Sequence, residues 1–181
     1  MVSMPRWRPV RDAAGVILPA VLLLGGCAAP RHTLAEALPQ GGRATPWELV
    51  GSVWSGDLDE AEQAIGEQAA TWRPLRPRRV WLALYRHDQA PAARLSVCVF
   101  AFESPQAARA AYDSLRPEQA AAFNAGDAGH WTEDGVRFVW GRLVFDVFGN
   151  QPRGLARAEQ AAYLVGFIEQ RMPLDLPSEP R

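Results

Sequence analysis

Cysteine and histidine are among the side chains that could act in this chain as nucleophiles or metal ligands, and its 181 residues include two Cys and three His. The three histidines, His32, His87 and His130, are far apart and show no spacing typical of a metal site. Cys98 lies in the apolar run 95–100, with no His nearby in sequence to activate its thiol. We therefore predict no metal, no cofactor and no catalytic residue, and we interpret Cys98 as a buried small hydrophobic residue.

Acidic residues cluster at Asp57, Asp59, Glu60, Glu62 and Glu67. The cluster lacks the alternating ligands and central Gly of a calcium loop, whereas acids at the start of a helix are favoured by its dipole. The acidic cluster therefore indicates the beginning of a helix rather than a metal site.

Nucleophile-elbow, phosphate-loop and dinucleotide-binding motifs are also missing from the sequence.

Four arginines, Arg73, Arg76, Arg78 and Arg79, occur in a Pro-rich segment. They could bind an anionic surface such as lipid phosphates, at about 1 kcal/mol for each basic residue. The alternative is a solvated loop in a protein whose basic residues are all Arg. The sequence leaves both interpretations open.

Four tryptophans lie in strand or helix patterns and are predicted to be in the core: Trp54, Trp72, Trp81 and Trp140. Exposed Trp side chains would instead indicate binding of an apolar ligand or a sugar.

The N-terminus has the pattern of an export signal. Arg6, Arg8 and Arg11 precede the apolar segment 13–24, which is shorter than the roughly 20 residues needed to span a bilayer. A basic start followed by a short apolar segment is typical of a secretory signal that is removed from the mature protein.

The end of that signal, Leu24-Gly25-Gly26-Cys27, resembles the lipobox of bacterial lipoproteins. The resemblance implies cleavage between Gly26 and Cys27, a diacylglyceryl group on Cys27, and a further acyl chain on its amine in Gram-negative cells. The implied partner is the lipid bilayer, which two or more acyl chains hold stably. Ala28, in place of the Asp common in inner-membrane lipoproteins, favours a periplasm-facing position on the outer membrane.

Composition and charge limit the remaining possibilities. The formal net charge is −1, which gives no basic bias toward nucleic acid. With Cys27 lipidated, Cys98 is left without a partner for an internal disulfide. We predict a signal peptide over 1–26, a flexible tether over 27–45, one domain over 46–172 and a disordered tail over 173–181.

Hydrophobic periodicity predicts an α+β domain with the element order β-α-β-β-α-β-β-β-α. Consecutive hairpins favour a mostly antiparallel sheet of about five or six strands, with helices packed on one face. Strands are predicted over 47–54, 79–86 and 93–102 and in a meander over 130–148. One helix is predicted to start at the N-cap Asp57, to run through Trp72 and to end before Pro74. Other helices are predicted to start at the N-cap Ser104 and to cover 118–125 and 154–171.

The turn Gly141-Arg142 predicts the register of a hairpin. A two-residue loop with Gly first suits a type II′ turn, which pairs Phe138 with Phe145 and Arg137 with Asp146. Alternation then places one set of apolar residues on a single face: Val136, Phe138, Trp140, Leu143, Phe145 and Val147. That face is expected to be either core beneath a helix or the wall of an apolar pocket. The Arg137–Asp146 pair lies on the other face and is expected to contribute about 0.2–1 kcal/mol.

Several short motifs resemble a family of uncharacterised bacterial secreted and lipoprotein domains. They are Leu38-Pro39 before Trp47, the strand ending in Tyr85, Ser104-Pro105-x-x-Ala108-x-x-x-Tyr112, and Gly135-x-x-Phe138-x-x-Gly141-x-x-x-Phe145. Members of that family often carry a polar residue before a helical Gly, where this chain has Ile65 before Gly66. The resemblance implies a fold and no activity.

Two classes of function remain. The first is a non-catalytic binding or scaffold module of the cell envelope that recognises a lipid, a glycan or a protein. The second is an envelope hydrolase or other enzyme with an unrecognised site. A pocket containing His130 and two carboxylates would favour the enzyme, whereas an apolar groove or an exposed sheet edge would favour the binding module.

Overall fold

A computed structural model describes residues 34–38, 46–149, 164–166 and 168–170 of the chain. Its elements in chain order are α1 (Leu34–Ala37), β1 (Trp47–Leu49), β2 (Trp54–Gly56), α2 (Leu58–Ile65), α3 (Gln68–Trp72), β3 (Arg79–His87), β4 (Arg94–Ala101), α4 (Pro105–Leu115), β5 (Ala122–Phe123), β6 (Ala128–Trp131), β7 (Gly135–Trp140) and β8 (Leu143–Gly149). Residues 164–166 and 168–170 are also helical. The predicted signal peptide, the predicted tail and most of the helix predicted over 154–171 lie outside the described residues.

The eight strands form one sheet with the order β1-β3-β4-β8-β7-β6-β5, and β2 pairs with β3 beside β1. Every pairing between the described strands is antiparallel, which confirms the predicted sheet type. The predicted count of five or six strands is too low. The strand predicted over 47–54 is divided into β1 and β2, because Gly51 adopts a φ of 78° between them.

The helix predicted to start at Asp57 does so, with a complete capping box. The Asp57 carboxylate accepts the Glu60 amide N–H at 2.8 Å, and the Glu60 carboxylate accepts the Asp57 amide N–H at 3.2 Å. The helix does not run unbroken to Trp72, however. Gly66 has a φ of 56°, in the left-handed region, and ends α2 before α3 begins.

Ser104 caps α4 as predicted, its hydroxyl accepting the Ala107 amide N–H at 3.1 Å. The helix predicted over 118–125 is wrong, because Ala122–Phe123 forms β5 and pairs with β6. The Phe123 ring packs against Trp131 with a centroid distance of 4.8 Å. Sheet pairing and this aromatic contact therefore outweigh the helix propensity of an Ala-rich segment.

The sheet is covered on both faces, so the prediction of helices on one face is wrong. One core cluster packs α2, α3 and α4 on the face that carries Val80, Phe100 and Val144. The other packs Leu34, Leu38, Leu164, Val165 and Ile168 on the face that carries Tyr85, Val97 and Phe145. The central strands are apolar on both faces for this reason.

The start of the domain also differs from the prediction. Leu34 and Leu38 belong to the core, with 6% and 0% of their surface exposed, although both lie in the segment 27–45 predicted as a tether. Leu34 and Leu38 therefore pack with the domain. Leu38 is also one of the positions at which the sequence resembles the family of secreted and lipoprotein domains.

The β7–β8 hairpin has the predicted register: Trp140 pairs with Leu143, Phe138 with Phe145 and Arg137 with Asp146. Gly141 has a φ of 54°, while Arg142 has no positive φ, which agrees with a type II′ turn. The aromatic face is core, since Phe138 is fully buried and stacks on Phe145 at a centroid distance of 4.4 Å.

Candidate functional site

An apolar groove lies on the face of the sheet that carries α2, α3 and α4, in a region that these helices do not cover. Three large hydrophobic side chains are exposed among the described residues: Val50 by 39%, Trp54 by 37% and Leu84 by 40%. All three line one cavity of about 680 Å³. We call this cavity the sheet groove. Its volume lies within the range of small-molecule sites, about 300–1,000 Å³.

Strand register explains the floor of the sheet groove. Residues that face each other across antiparallel strands lie on the same face of the sheet. Trp54, Leu82 and Cys98 therefore form one row across β2, β3 and β4, which we call the inner row. Leu84, Ser96 and Phe148 form a parallel row across β3, β4 and β8, which we call the outer row.

The groove continues beyond the outer row. A second cavity of about 430 Å³ shares Val50, Leu84, Ser96 and Phe148 with the first and adds Arg94. The two cavities therefore form one depression along β4, which ends at a charged side chain.

The helices leave the groove open because they are short and separately placed. α2 contacts β2 and β3, while α4 contacts β7 and β8. The break at Gly66 places α3 as a separate helix of five residues. Ile65 and Gln68 from these helices form one wall of the groove, and Glu60 and Glu67 lie at its rim.

A buried polar cluster continues the inner row beyond Cys98. Pairing across β4, β8, β7 and β6 brings Cys98, Asp146, Arg137 and His130 into line. Arg137 donates to Asp146 at 2.7 Å, and their side chains are only 15% and 6% exposed. Its guanidinium also lies 5.3 Å from the centre of the Trp72 ring, a cation–π contact.

His130 is fully buried beside Tyr112, with a ring-centroid distance of 5.1 Å. Within the described part of the chain, neither imidazole nitrogen nor the Tyr112 hydroxyl has a hydrogen-bond partner. Burial, and next to it the charges of Arg137 and Arg116, lower the pKa of His130 to about 4. His130 is therefore neutral at physiological pH.

Burial also perturbs the two other titratable groups of this row. It raises the pKa of the Cys98 thiol, and nearby Asp146 raises it further. Burial raises the pKa of the Asp146 carboxyl as well, although Arg137 opposes that shift. Cys98 is 2% exposed and carries a neutral thiol, which agrees with its predicted role as a small core residue.

The cluster does not have the geometry of a nucleophile and its base. Cys98 and His130 are separated by three strand spacings, about 14 Å, with the Asp146–Arg137 pair between them. His130 lines neither cavity of the groove. Among the described residues, no group of three or more His, Cys, Asp or Glu side chains could hold a metal ion.

The four arginines predicted as a possible anionic-surface site have different surroundings. Arg73 donates to Asp59 and Glu62 at 2.6 and 2.8 Å, and Arg78 donates to Glu103 at 2.8 Å. Arg79 donates to the Ser55 hydroxyl at 3.0 Å, and Arg76 is exposed at a φ of 53°. Acidic neighbours therefore offset part of the positive charge of this segment.

The prediction that Trp54 lies in the core is wrong, because this side chain is exposed in the sheet groove. Trp72 and Trp81 are buried, and Trp140 is partly buried against the core. The sequence did contain a signal for the groove: β3 and β4 are apolar at both odd and even positions. Strands that are apolar on both faces need other elements packed on each face, and the short predicted helices bury little of that apolar surface.

Gly26 and Cys27, the predicted cleavage and lipidation site, lie outside the described residues. Within those residues, no helix has both the length and the apolar character needed to cross a bilayer. In comparisons with known proteins, no family model, no curated protein and no solved structure matches this chain.

Proposed function

We propose that this protein is a membrane-anchored envelope lipoprotein whose single domain is a non-catalytic module that binds an acyl chain in the sheet groove. The observation that carries the proposal is the convergence of Val50, Trp54 and Leu84 on one cavity. Exposed apolar side chains that are gathered in this way mark binding sites in soluble domains.

The chemistry of the floor favours an acyl chain over a peptide or a glycan. The backbone groups of β3, β4 and β8 are engaged in the strand ladder, so they offer a ligand no row of hydrogen bonds. In the two floor rows, polar side-chain groups are limited to the Trp54 indole N–H, the Ser96 hydroxyl and the Cys98 thiol. An acyl chain needs neither, because its burial is driven by the hydrophobic effect.

The proposed anchor would keep the domain close to a source of such chains. The lipobox at 24–27 resembles that of lipoproteins, and Leu34 is already part of the core seven residues after Cys27. Such an anchor would hold the domain at a membrane surface, which we propose is the periplasmic face of the outer membrane.

The alternative of an envelope hydrolase has less support. The site that would favour it is a pocket containing His130 and two carboxylates, and His130 lines neither the sheet groove nor the cavity beside α4. His130 is instead enclosed beside Tyr112, and Asp146 is paired with Arg137.

Calorimetry with dodecanol, a neutral single-chain probe, tests the groove. The protein is the full chain with Cys27→Ala, kept below the aggregation concentration of the probe. We expect saturable binding with a negative change in heat capacity, the mark of buried apolar surface. Leu84→Glu places a charge in the groove and should weaken binding at least about tenfold.

Gln119→Glu is the matched control, because it adds the same charge at an exposed position before β5, at the opposite edge of the sheet. It should leave dodecanol binding unchanged. Absence of dodecanol binding by the parent chain, or equal binding by Leu84→Glu, would contradict the proposed function.

A further inference from the structure

The charged side chains around the larger cavity of the sheet groove are acidic. Of the described residues that line it, Glu60 and Glu67 are charged and none is basic. Within the described part of the chain neither carboxylate has an ion-pair partner, and Glu60 accepts a hydrogen bond from the uncharged Asp57 amide N–H. This cavity therefore presents negative charge to a ligand.

The arginines nearest to α2 in the chain do not share the cavity with Glu60. Arg73 donates to Asp59 and Glu62, which do not line the groove. Arg79 lies on the opposite face of the sheet from Leu82, because the two are an odd number of residues apart along β3.

Trp54 and Glu60 meet above Gly56, where β2 forms part of the sheet edge. A Cβ atom built on Gly56 would fall within 3.0 Å of both the Glu60 Oε2 atom and the Trp54 ring. Glycine therefore lets the carboxylate and the ring approach the same point, and Trp54 is still 37% exposed. Because an aromatic ring and a carboxylate each attract a cation, the two together fit a cationic group.

A third polar group of the groove lacks a hydrogen-bond donor. The Oε1 atom of Gln68 is buried in the wall, and no donor from the described residues reaches it. A buried acceptor without a donor is unfavourable. The wall therefore favours a ligand that brings N–H groups over one that brings only acceptors.

We infer that the groove binds a single-chain lipid whose head is an ammonium group, held between the Trp54 ring and the Glu60 carboxylate. The inference rests on the proposed function and adds the charge of the head and its position. Phe148, at the far corner of the floor, lies three strand spacings across and one row along from Trp54, about 16 Å away. The hydrocarbon chain runs along this diagonal, between the inner and outer rows.

Three probes with the same chain and different head charges test this inference: dodecylammonium, dodecanol and dodecanoate. Their affinities are measured by calorimetry at neutral pH with the full chain carrying Cys27→Ala. We expect dodecylammonium to bind at least about threefold more tightly than dodecanol, because it gains the ring and the carboxylate. Dodecanoate should bind most weakly, since Glu60 and Glu67 repel it.

A pair of variants on α2 locates the head group. Glu60→Gln removes the carboxylate, while Gln at this position still suits the capping box at Asp57. It should remove most of the preference, measured as the ratio of the dodecanol and dodecylammonium dissociation constants. Glu62→Gln is the matched control, because it removes the same charge from the same helix outside the groove, and it should keep the ratio of the parent chain.

Equal binding of dodecylammonium and dodecanol by the parent chain would overturn the ammonium inference alone. So would a preference that survives Glu60→Gln, or one that Glu62→Gln removes to the same extent. Failure of dodecanol itself to bind would overturn the proposed function, so the two failures are distinguishable within one set of titrations.

Discussion

Arg137 and Asp146 show how the surroundings of a residue pair decide its energy. The pair was predicted as a cross-strand contact contributing about 0.2–1 kcal/mol, and the predicted pairing is confirmed. α4 covers the pair, and Arg137 also donates to the Leu115 carbonyl oxygen at 3.4 Å. Two buried charges of opposite sign depend on each other far more than two exposed ones.

Removing one partner of this pair should therefore be costly. We expect Arg137→Met to lower the free energy of unfolding by about 3–5 kcal/mol, because the Asp146 carboxylate is left buried without its counter-charge. The double variant with Asp146→Leu should be more stable than Arg137→Met alone. Urea denaturation of the parent, both single variants and the double variant measures this coupling, and additive effects would contradict it.

His130 should make stability depend on pH in a defined direction. Its pKa is about 4 in the folded domain, against an ordinary value of 6.5, because burial disfavours the charged imidazole. The unfolded chain therefore takes up a proton as pH falls below about 6.5, while the folded domain does not until about pH 4. As the pH falls from about 6.5 to about 4, His130 should therefore lower the free energy of unfolding by about 3 kcal/mol in total.

His130→Phe removes this titration and keeps an aromatic ring beside Tyr112. The free energy of unfolding is measured by urea titration from pH 7 to pH 4. Relative to the parent, the variant should gain stability as pH falls. If the difference in unfolding free energy between the two proteins stayed the same from pH 7 to pH 4, the lowered pKa assigned to His130 would be wrong.

At the scale of elements, the β7–β8 hairpin links a local turn to the packing of both faces. Because side chains alternate, the register set at Gly141 places Phe138 in the core cluster on one face of the sheet and Val139 in the core cluster on the opposite face. A slip of one residue would bring Arg137 into the aromatic core, which the cost of burying an unpaired charge opposes.

Phe138→Ala tests whether the aromatic face is core. Phe138 is fully buried and stacked on Phe145, so we expect a loss of about 3–5 kcal/mol in unfolding free energy. Dodecanol affinity should stay unchanged, since the groove lies on the opposite face. A mild loss of stability together with impaired binding would instead indicate a pocket wall.

At the scale of the whole molecule, the anchor and the groove can be tested separately. Cys27→Ala should abolish incorporation of an alkyne fatty acid in cells, because the proposed lipid attaches to that thiol. Cys98→Ala is the matched control and should keep the label, since Cys98 is buried in the domain. Labelling of the Cys27→Ala chain would refute the proposed anchor.

The sequence alone predicted the features that depend on residues close together in the chain. The capping box at Asp57 and Glu60, the N-cap at Ser104 and the register around Gly141 are confirmed because each is a short-range pattern with its own geometry. The burial of Cys98 followed in the same way from its apolar run. The lipobox at Cys27 is equally local, and the lipid that it implies stays a prediction.

Tertiary structure decided which elements meet. Phe123 lies in a strand because β6 offers it a partner, and Leu34 is buried because the second face of the sheet needs cover. The groove depends on the same kind of contact: the apolar positions Leu82 and Leu84 were visible in the sequence, but the exposure of Leu84 was not. That exposure follows from where α2 ends at Gly66 and from how far α3 and α4 reach over the sheet, and both are set by packing between residues distant in the chain.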